Sequence, residues 1–183
     1  MSTMPGIGDA RILIMATDGF EESELFGPRA ILRGRGAEVV LAAPSHSPIQ
    51  ATVRDDPGRT IRPDLTIAEA KAENFDALVL PGGVINPDAL RTNRFAVALV
   101  QAFVAARKPV AAICHGPWLL VEADALKGRK ATGWKSIRTD LRNAGAELSD
   151  EKVVRDGPII TAQAPEDVAA FTEALVAAIE QMS

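Results

Sequence analysis

Three short stretches of this chain are apolar from end to end: Ile12-Leu-Ile-Met-Ala16, Ala77-Leu-Val-Leu80 and Val110-Ala-Ala-Ile113. A strand with one face in water alternates apolar and polar residues. An unbroken apolar run fits a strand buried on both faces, as in a parallel sheet covered by helices. Glu38-Val-Val-Leu-Ala42, after Gly36, reads as a fourth strand. Helical stripes lie between and after the runs: Phe95, Leu99, Phe103 and Val104, then Val168, Phe171, Leu175 and Ile179, with Pro165 at the first position of the last helix. A third helix is expected from Glu24 to Arg33, capped by Ser23, with Pro28 removing a backbone donor one turn in. A fourth runs from Lys135 to Asn143 and ends at Gly145. Strands alternating with helices predict an α/β fold, a doubly wound, mostly parallel sheet sandwiched by helices. The length of 183 residues favours a single domain over 1–183. Only Pro44 to Pro63, rich in Pro, Asp, Arg and Ser, breaks the rhythm; it reads as a small surface hairpin.

Composition excludes several partners. The net charge is −4, with no basic surplus for nucleic acid or an anionic membrane. No apolar run approaches the roughly 20 residues that span a bilayer. The first, Ile12 to Ala16, is too short for a signal peptide, so a cytoplasmic location is expected. One cysteine permits no intramolecular disulfide, and two histidines, His46 and His115, make a Cys/His zinc site unexpected. No Gly-x-Gly-x-x-Gly follows Ile14, which argues against a dinucleotide; neither a metal nor any other cofactor is expected.

The single cysteine stands where chemistry is expected. Cys114 follows a buried strand, and His115-Gly-Pro117 then turns into Trp118-Leu-Leu-Val121. A nucleophile on such a turn is held out of the sheet, and a following helix N-terminus favours a thiolate. Ligands of open α/β sheets bind at the carboxyl ends of strands, near a switch in strand order. Three segments should meet there: Thr17 to Leu25 with Glu21, Glu22 and Glu24, then Pro81-Gly82-Gly83, then the cysteine turn. His115 is a candidate base for Cys114. Trp118 and Trp134 are read as core or pocket wall, His46 as a surface residue, and Asn86-Pro-Asp88 as a helix-capping turn.

At these residues the sequence resembles the ThiJ/PfpI family. The matching stretches are Asp18-Gly-Phe-Glu-Glu-Ser-Glu-Leu25, Pro28, Phe75-Asp-Ala-Leu-Val-Leu-Pro-Gly-Gly83, Lys108-Pro-Val-Ala-Ala-Ile-Cys-His-Gly-Pro117, Leu126-Lys-Gly-Arg-Lys130 and Asn143-Ala-Gly145. They run in order over nearly the whole chain, and Cys-His-Gly-Pro favours the PfpI-like branch. The resemblance implies a flavodoxin-like sandwich related to class I glutamine amidotransferase domains, with Cys114 as nucleophile. It implies that Glu24, four residues before Pro28, hydrogen-bonds the thiolate, and that Glu21 faces the pocket. The N–H groups of Gly83 and His115 would form an oxyanion hole, with Gly82, Trp118 and Trp134 about the substrate. It further implies an acid from a second subunit behind His115, and hence a homodimer or larger homo-oligomer. The matching position is Asp88, reached with a one-residue insertion and with Asp in place of Glu. Trp134 stands where the family commonly has tyrosine, so no hydroxyl is available there.

Three reactions fit these residues. A hydrolase of the intracellular peptidase type, stress related, is the principal expectation: Cys114 attacks an acyl carbon and His115 shuttles the proton. The alternative is a cofactor-independent glyoxalase or deglycase, in which Cys114 adds to a methylglyoxal-type aldehyde and Glu24 or His115 moves a proton between carbons. The third is a redox-sensing or chaperone-like stress protein whose thiolate is oxidised to the sulfinate. The partners expected are a small carbonyl or peptide and a second copy of the chain.

Overall fold

The computed structural model describes residues 6–181; residues 1–5 and 182–183, the two ends of the expected domain, lie outside the described residues. After a 3-10 turn (Ile7–Asp9) the chain forms β1 (Arg11–Met15), a short β2 (Phe20–Glu21) and α1 (Glu22–Gly34). Then come β3 (Glu38–Ala43), the hairpin strands β4 (Ile49–Val53) and β5 (Asp56–Ile61), and β6 (Leu65–Thr66). Next are β7 (Ala77–Leu80), α2 (Ile85–Leu90), α3 (Arg94–Ala105), β8 (Val110–Ile113) and α4 (Trp118–Glu122). The last third holds β9 (Lys130–Ala131), α5 (Arg138–Asn143), β10 (Glu147–Leu148), β11 (Val153–Asp156), β12 (Ile159–Ala162) and α6 (Val168–Gln181).

The main sheet runs β11-β12-β8-β7-β1-β3-β6. Every pairing in it is parallel except β11 with β12. The expected sandwich follows from β1. Ile12 and Ile14 pack with Leu25 and Leu32 of α1 and Phe171 and Leu175 of α6. Leu13 and Met15 pack on the opposite face with Leu99 and Phe103 of α3 and Leu119 of α4. Both faces are covered from Ile12 to Met15, and none of those four positions carries a polar side chain. Strand order reverses between β1 and β7, because β3 and β6 extend the sheet one way and β8 and β12 the other. The carboxyl ends of these central strands form the crevice where such sheets bind ligands.

Four expectations are corrected locally. Ser23 does not cap α1: the cap position is Glu21, without a side-chain cap bond, and Ser23 lies inside the helix. Pro165 opens a 3-10 turn (Pro165–Asp167), and the α-helix proper starts at Val168. Lys135–Ile137 is likewise 3-10 before α5. Asn86-Pro-Asp88 is not a capping turn but part of α2. The Pro44 to Pro63 stretch does form a hairpin, joined to β2 in a separate sheet of order β2-β4-β5.

Candidate active site

The three expected segments meet at the switch point, and a buried amide joins two of them. Asn86 accepts the Thr17 N–H at 2.8 Å and donates to the Pro81 and Gly82 carbonyls at 3.0 and 3.1 Å. A fully buried amide satisfied on both ends fixes the loops that leave β1 and β7.

Cys114 leaves β8 with φ +62°, in the left-handed region. For a residue with a Cβ this costs roughly 1–2 kcal/mol, so surrounding bonds must hold it. Its N–H donates to the Ala162 carbonyl at 3.0 Å, and its carbonyl accepts the Trp134 N–H at 2.8 Å. The turn therefore holds the thiol out of the sheet, as expected of a nucleophile. The expected help from a helix N-terminus is small. The helix starts four residues later and is only five residues long. Burial pushes the Cys114 thiol above its usual range, and the Glu24 carboxylate pushes it further. The N–H groups of His115 and Gly83 act in the opposite direction and favour the thiolate. They are the two donors expected at an oxyanion hole, and both face the Cys114 sulfur. The positive φ of Gly83 (+76°) fits this role, since a Cβ there would lie 2.1 Å from the Gly19 carbonyl oxygen.

Glu24 lies on α1 with no exposed surface. Its Oε1 accepts the Gly82 N–H at 2.9 Å, and its Oε2 has no oxygen or nitrogen partner. Burial raises its pKa to about 8, and hydrogen bonding to Gly82 and Cys114 only partly offsets that. Near neutral pH the carboxyl is therefore mostly protonated, and its repulsion of the Cys114 thiolate is largely removed. Gly82 serves this contact. A Cβ there would sit 2.6 Å from Glu24 Oε1 and 2.8 Å from the Cys114 Cβ. It holds the acid against Cys114 and is absent from the cavity lining, where substrate contact was expected.

His115 is beside the thiol. Its Nδ1 lies 3.3 Å from Cys114 Sγ, so adjacency in sequence does not separate the two side chains. Burial lowers its pKa, which keeps the ring neutral and able to accept a proton. The Trp134 ring stacks on it at 6.1 Å and 29°, and the Trp118 ring meets it edge-on at 5.2 Å and 67°. Trp118 was expected at the substrate; instead its Nε1 is tied to Asp140 at 3.0 Å, and the ring backs His115 without lining the cavity.

The cavity over Cys114 has a volume of about 520 Å³ and is lined by Glu21, Gly83, His115 and Trp134 as expected. Glu21 is half-buried with a raised pKa, chiefly from burial, and both its oxygens face the Arg54 N–H at 3.4 and 3.2 Å. Glu22 turns away from the site to Arg59, accepting its N–H at 2.8 Å. Sequence reasoning missed Arg54 and Asp55 of the hairpin tip and Glu166 before α6, which complete the wall. It also missed Ser136, whose Oγ lies 3.3 Å from His115 Nε2. Asp88 is exposed on α2 and makes no contact with His115 within the chain. His46, as expected, is a surface residue, paired with Glu69 at 3.0 Å. Among the described residues no cluster of three or more His, Cys, Asp or Glu is arranged to hold a metal ion, and no helix is long and apolar enough to cross a membrane.

The sequence model of the DJ-1/PfpI family matches residues 10–178. The chain belongs to the DJ-1/PfpI family. Deglycase TK1284 of Thermococcus kodakarensis is 41% identical over 91% of this chain and 97% of its own length. Four further DJ-1/PfpI relatives named as deglycases, from three Pyrococcus species and Escherichia coli, are between 37% and 42% identical. The Putative cysteine protease YraA of Bacillus subtilis is 40% identical over 88% of this chain and 93% of its own. The crystal structure of Drosophila melanogaster DJ-1beta superposes with a TM-score of 0.86 at 26% identity, covering 95% of this chain and 92% of that one. The ThiJ/PfpI resemblance and the α/β sandwich expected from the sequence are thus borne out, and the relatives named as deglycases and as a cysteine protease support an enzyme of this family.

Proposed function

We propose that this DJ-1/PfpI protein is a cofactor-independent deglycase and glyoxalase that acts on methylglyoxal-type carbonyls, free or carried on an amine. The observation that carries this reading is Glu24: a buried acid with a pKa of about 8, held beside the nucleophile by the Gly82 N–H. A group that titrates near working pH can both give and take a proton. Cys114 loses its proton to His115 Nδ1, and its sulfur adds to the aldehyde carbon. The aldehyde oxygen becomes an alkoxide, met by the Gly83 and His115 N–H groups, and takes up a proton to give a hemithioacetal. The hydrogen on that carbon then moves as a proton, through Glu24 or His115, to the neighbouring carbonyl carbon, while the hydroxyl proton passes to the ketone oxygen, leaving a lactoyl thioester. Water breaks the carbon–sulfur bond, releasing lactate and the thiol. When the aldehyde arrives as a hemiaminal, Cys114 Sγ replaces the amine on that carbon: the carbon–sulfur bond forms, the carbon–nitrogen bond breaks, and the amine leaves with the proton that His115 took from the thiol, giving the same hemithioacetal. The names of the deglycase relatives support this alternative over the peptidase reading. The peptidase reading keeps the support of the Cys114–His115 contact and of the YraA name.

Purified protein is expected to form lactate from methylglyoxal, and lactate plus free amine from a methylglyoxal-treated amine, followed by proton NMR. Peptide cleavage without lactate would return the assignment to the hydrolase.

We also propose that the chain self-associates through the start of α2. Val84 and Ile85 are 54% and 61% exposed, and Asp88 lies on the same short helix. Sedimentation is expected to give a dimer or larger, and Ile85→Asp to shift it toward the monomer. A wild-type monomer would remove Asp88 from any site on a second copy.

A further inference from the structure

We propose that Ser136 is a positioning residue for His115, fixing from within the same chain which ring nitrogen carries the proton. This rests on the reading above that His115 takes the Cys114 proton. A neutral imidazole has one N–H and one acceptor nitrogen, and its partners decide which is which. Nδ1 faces Cys114 Sγ at 3.3 Å and must be the acceptor if the thiol is to be deprotonated. Nε2 must then carry the hydrogen, and Ser136 Oγ, 3.3 Å away, is its only hydrogen-bonding partner among the described residues. The rest of the ring is enclosed by Trp134 on one face and the edge contact of Trp118, and His115 is 7% exposed. After proton transfer the same hydroxyl accepts from the imidazolium, so it favours the thiolate state too.

Local structure explains why Ser136 is there. The Trp134 N–H is bonded to the Cys114 carbonyl, and the 3-10 turn Lys135–Ile137 follows directly. One backbone bond thus sets the serine and the Trp134 ring against the histidine together. Among the described residues no carboxylate is hydrogen-bonded or ion-paired to the ring. Glu21, Arg54, Asp55 and Glu166 share the cavity wall with His115, Asp140 is bonded to Trp118 Nε1, and the cations Arg91 and Lys135 lie over the Trp118 and Trp134 rings, 5.1 and 5.9 Å from their centroids. None of these groups is hydrogen-bonded to the imidazole, so within the chain Ser136 is the partner left to orient Nε2.

Because Ser136 is exposed, water competes for this bond, and the effect should be that of one ordinary hydrogen bond, about 2- to 10-fold. The test is the rate of Cys114 alkylation by iodoacetamide as a function of pH, beside lactate formation. Ser136→Ala is expected to slow alkylation at pH 7 by about 2- to 10-fold and to displace its rise to higher pH, with kcat falling and KM little changed. Ser136→Thr, which keeps the hydroxyl, is expected to restore the wild-type profile. An unchanged profile in Ser136→Ala overturns the proposal, as does a shift produced by Asp88→Asn in its place. Loss of lactate formation in Cys114→Ala beside an unchanged Ser136→Ala leaves the functional reading standing and the serine without this role. Lactate formation that survives Cys114→Ala rejects the functional reading itself.

Discussion

Cys114→Ala is expected to abolish lactate formation, by at least about a thousandfold, while leaving the fold in place. The size follows from the absence of any substitute. This is the only cysteine in the chain, and the one hydroxyl against His115 among the described residues, Ser136, sits at its far nitrogen and does not line the cavity. Alanine keeps the Cβ and therefore the same backbone cost at φ +62°, so the turn is neither relieved nor further strained. The bonds to Ala162 and Trp134 are made by the backbone and persist. Thermal unfolding should consequently stay near wild type, within about 1 kcal/mol. Lactate measured by NMR alongside the melting curve separates lost chemistry from lost structure. Substantial turnover in the variant would reject the covalent route.

Glu24→Gln is expected to lower lactate formation by about 100-fold and at the same time to stabilise the protein at neutral and alkaline pH. Glutamine keeps an acceptor for the Gly82 N–H but cannot exchange a proton with the substrate. The stability effect comes from burial. The folded protein holds the Glu24 proton up to a pKa of about 8, whereas the ordinary value is 4.5. The folded state therefore binds the proton more tightly than the unfolded chain. Its stabilising effect is complete below pH 4.5 and is lost progressively as pH rises toward 8, on the order of 3 kcal/mol by pH 7. The variant has no such loss. Its melting temperature should exceed wild type near pH 8, and its dependence on pH between 5 and 8 should be flatter. A wild-type curve that rises with pH as steeply as the variant's would show that Glu24 is ionised throughout.

The strands were the most legible part of the molecule. Ala77–Leu80 and Val110–Ile113 are bounded as their apolar runs predict, because burial on both faces leaves a signature in each residue. The edge pair β11 and β12 escaped. Val153–Asp156 contains an Arg and an Asp, since an edge strand accepts polar residues, and its apolar run is too short to register. Gly157, with φ +58° in the turn between them, was the available signal. Within the site, Cys114, Glu24 and Gly83 were readable because each adjoins a strand end or is carried by the family resemblance. Ser136 was not. Its position depends on a backbone bond from Trp134 to a carbonyl twenty residues earlier, which no local pattern announces. Asn86 was read as part of a turn because its three bonds reach loops that meet only in the folded chain.

The hairpin β4–β5 contributes Val53, Arg54 and Asp55 to the mouth of the cavity, yet its strands pair only with each other and with β2. Cys114, Glu24 and the cavity mouth are thus built by separate parts of the chain. Lengthening or recharging the hairpin tip would change which molecules are admitted without repacking the layer that holds Cys114. A lineage can therefore change its clientele by editing a few exposed residues, while the chemistry underneath is inherited intact.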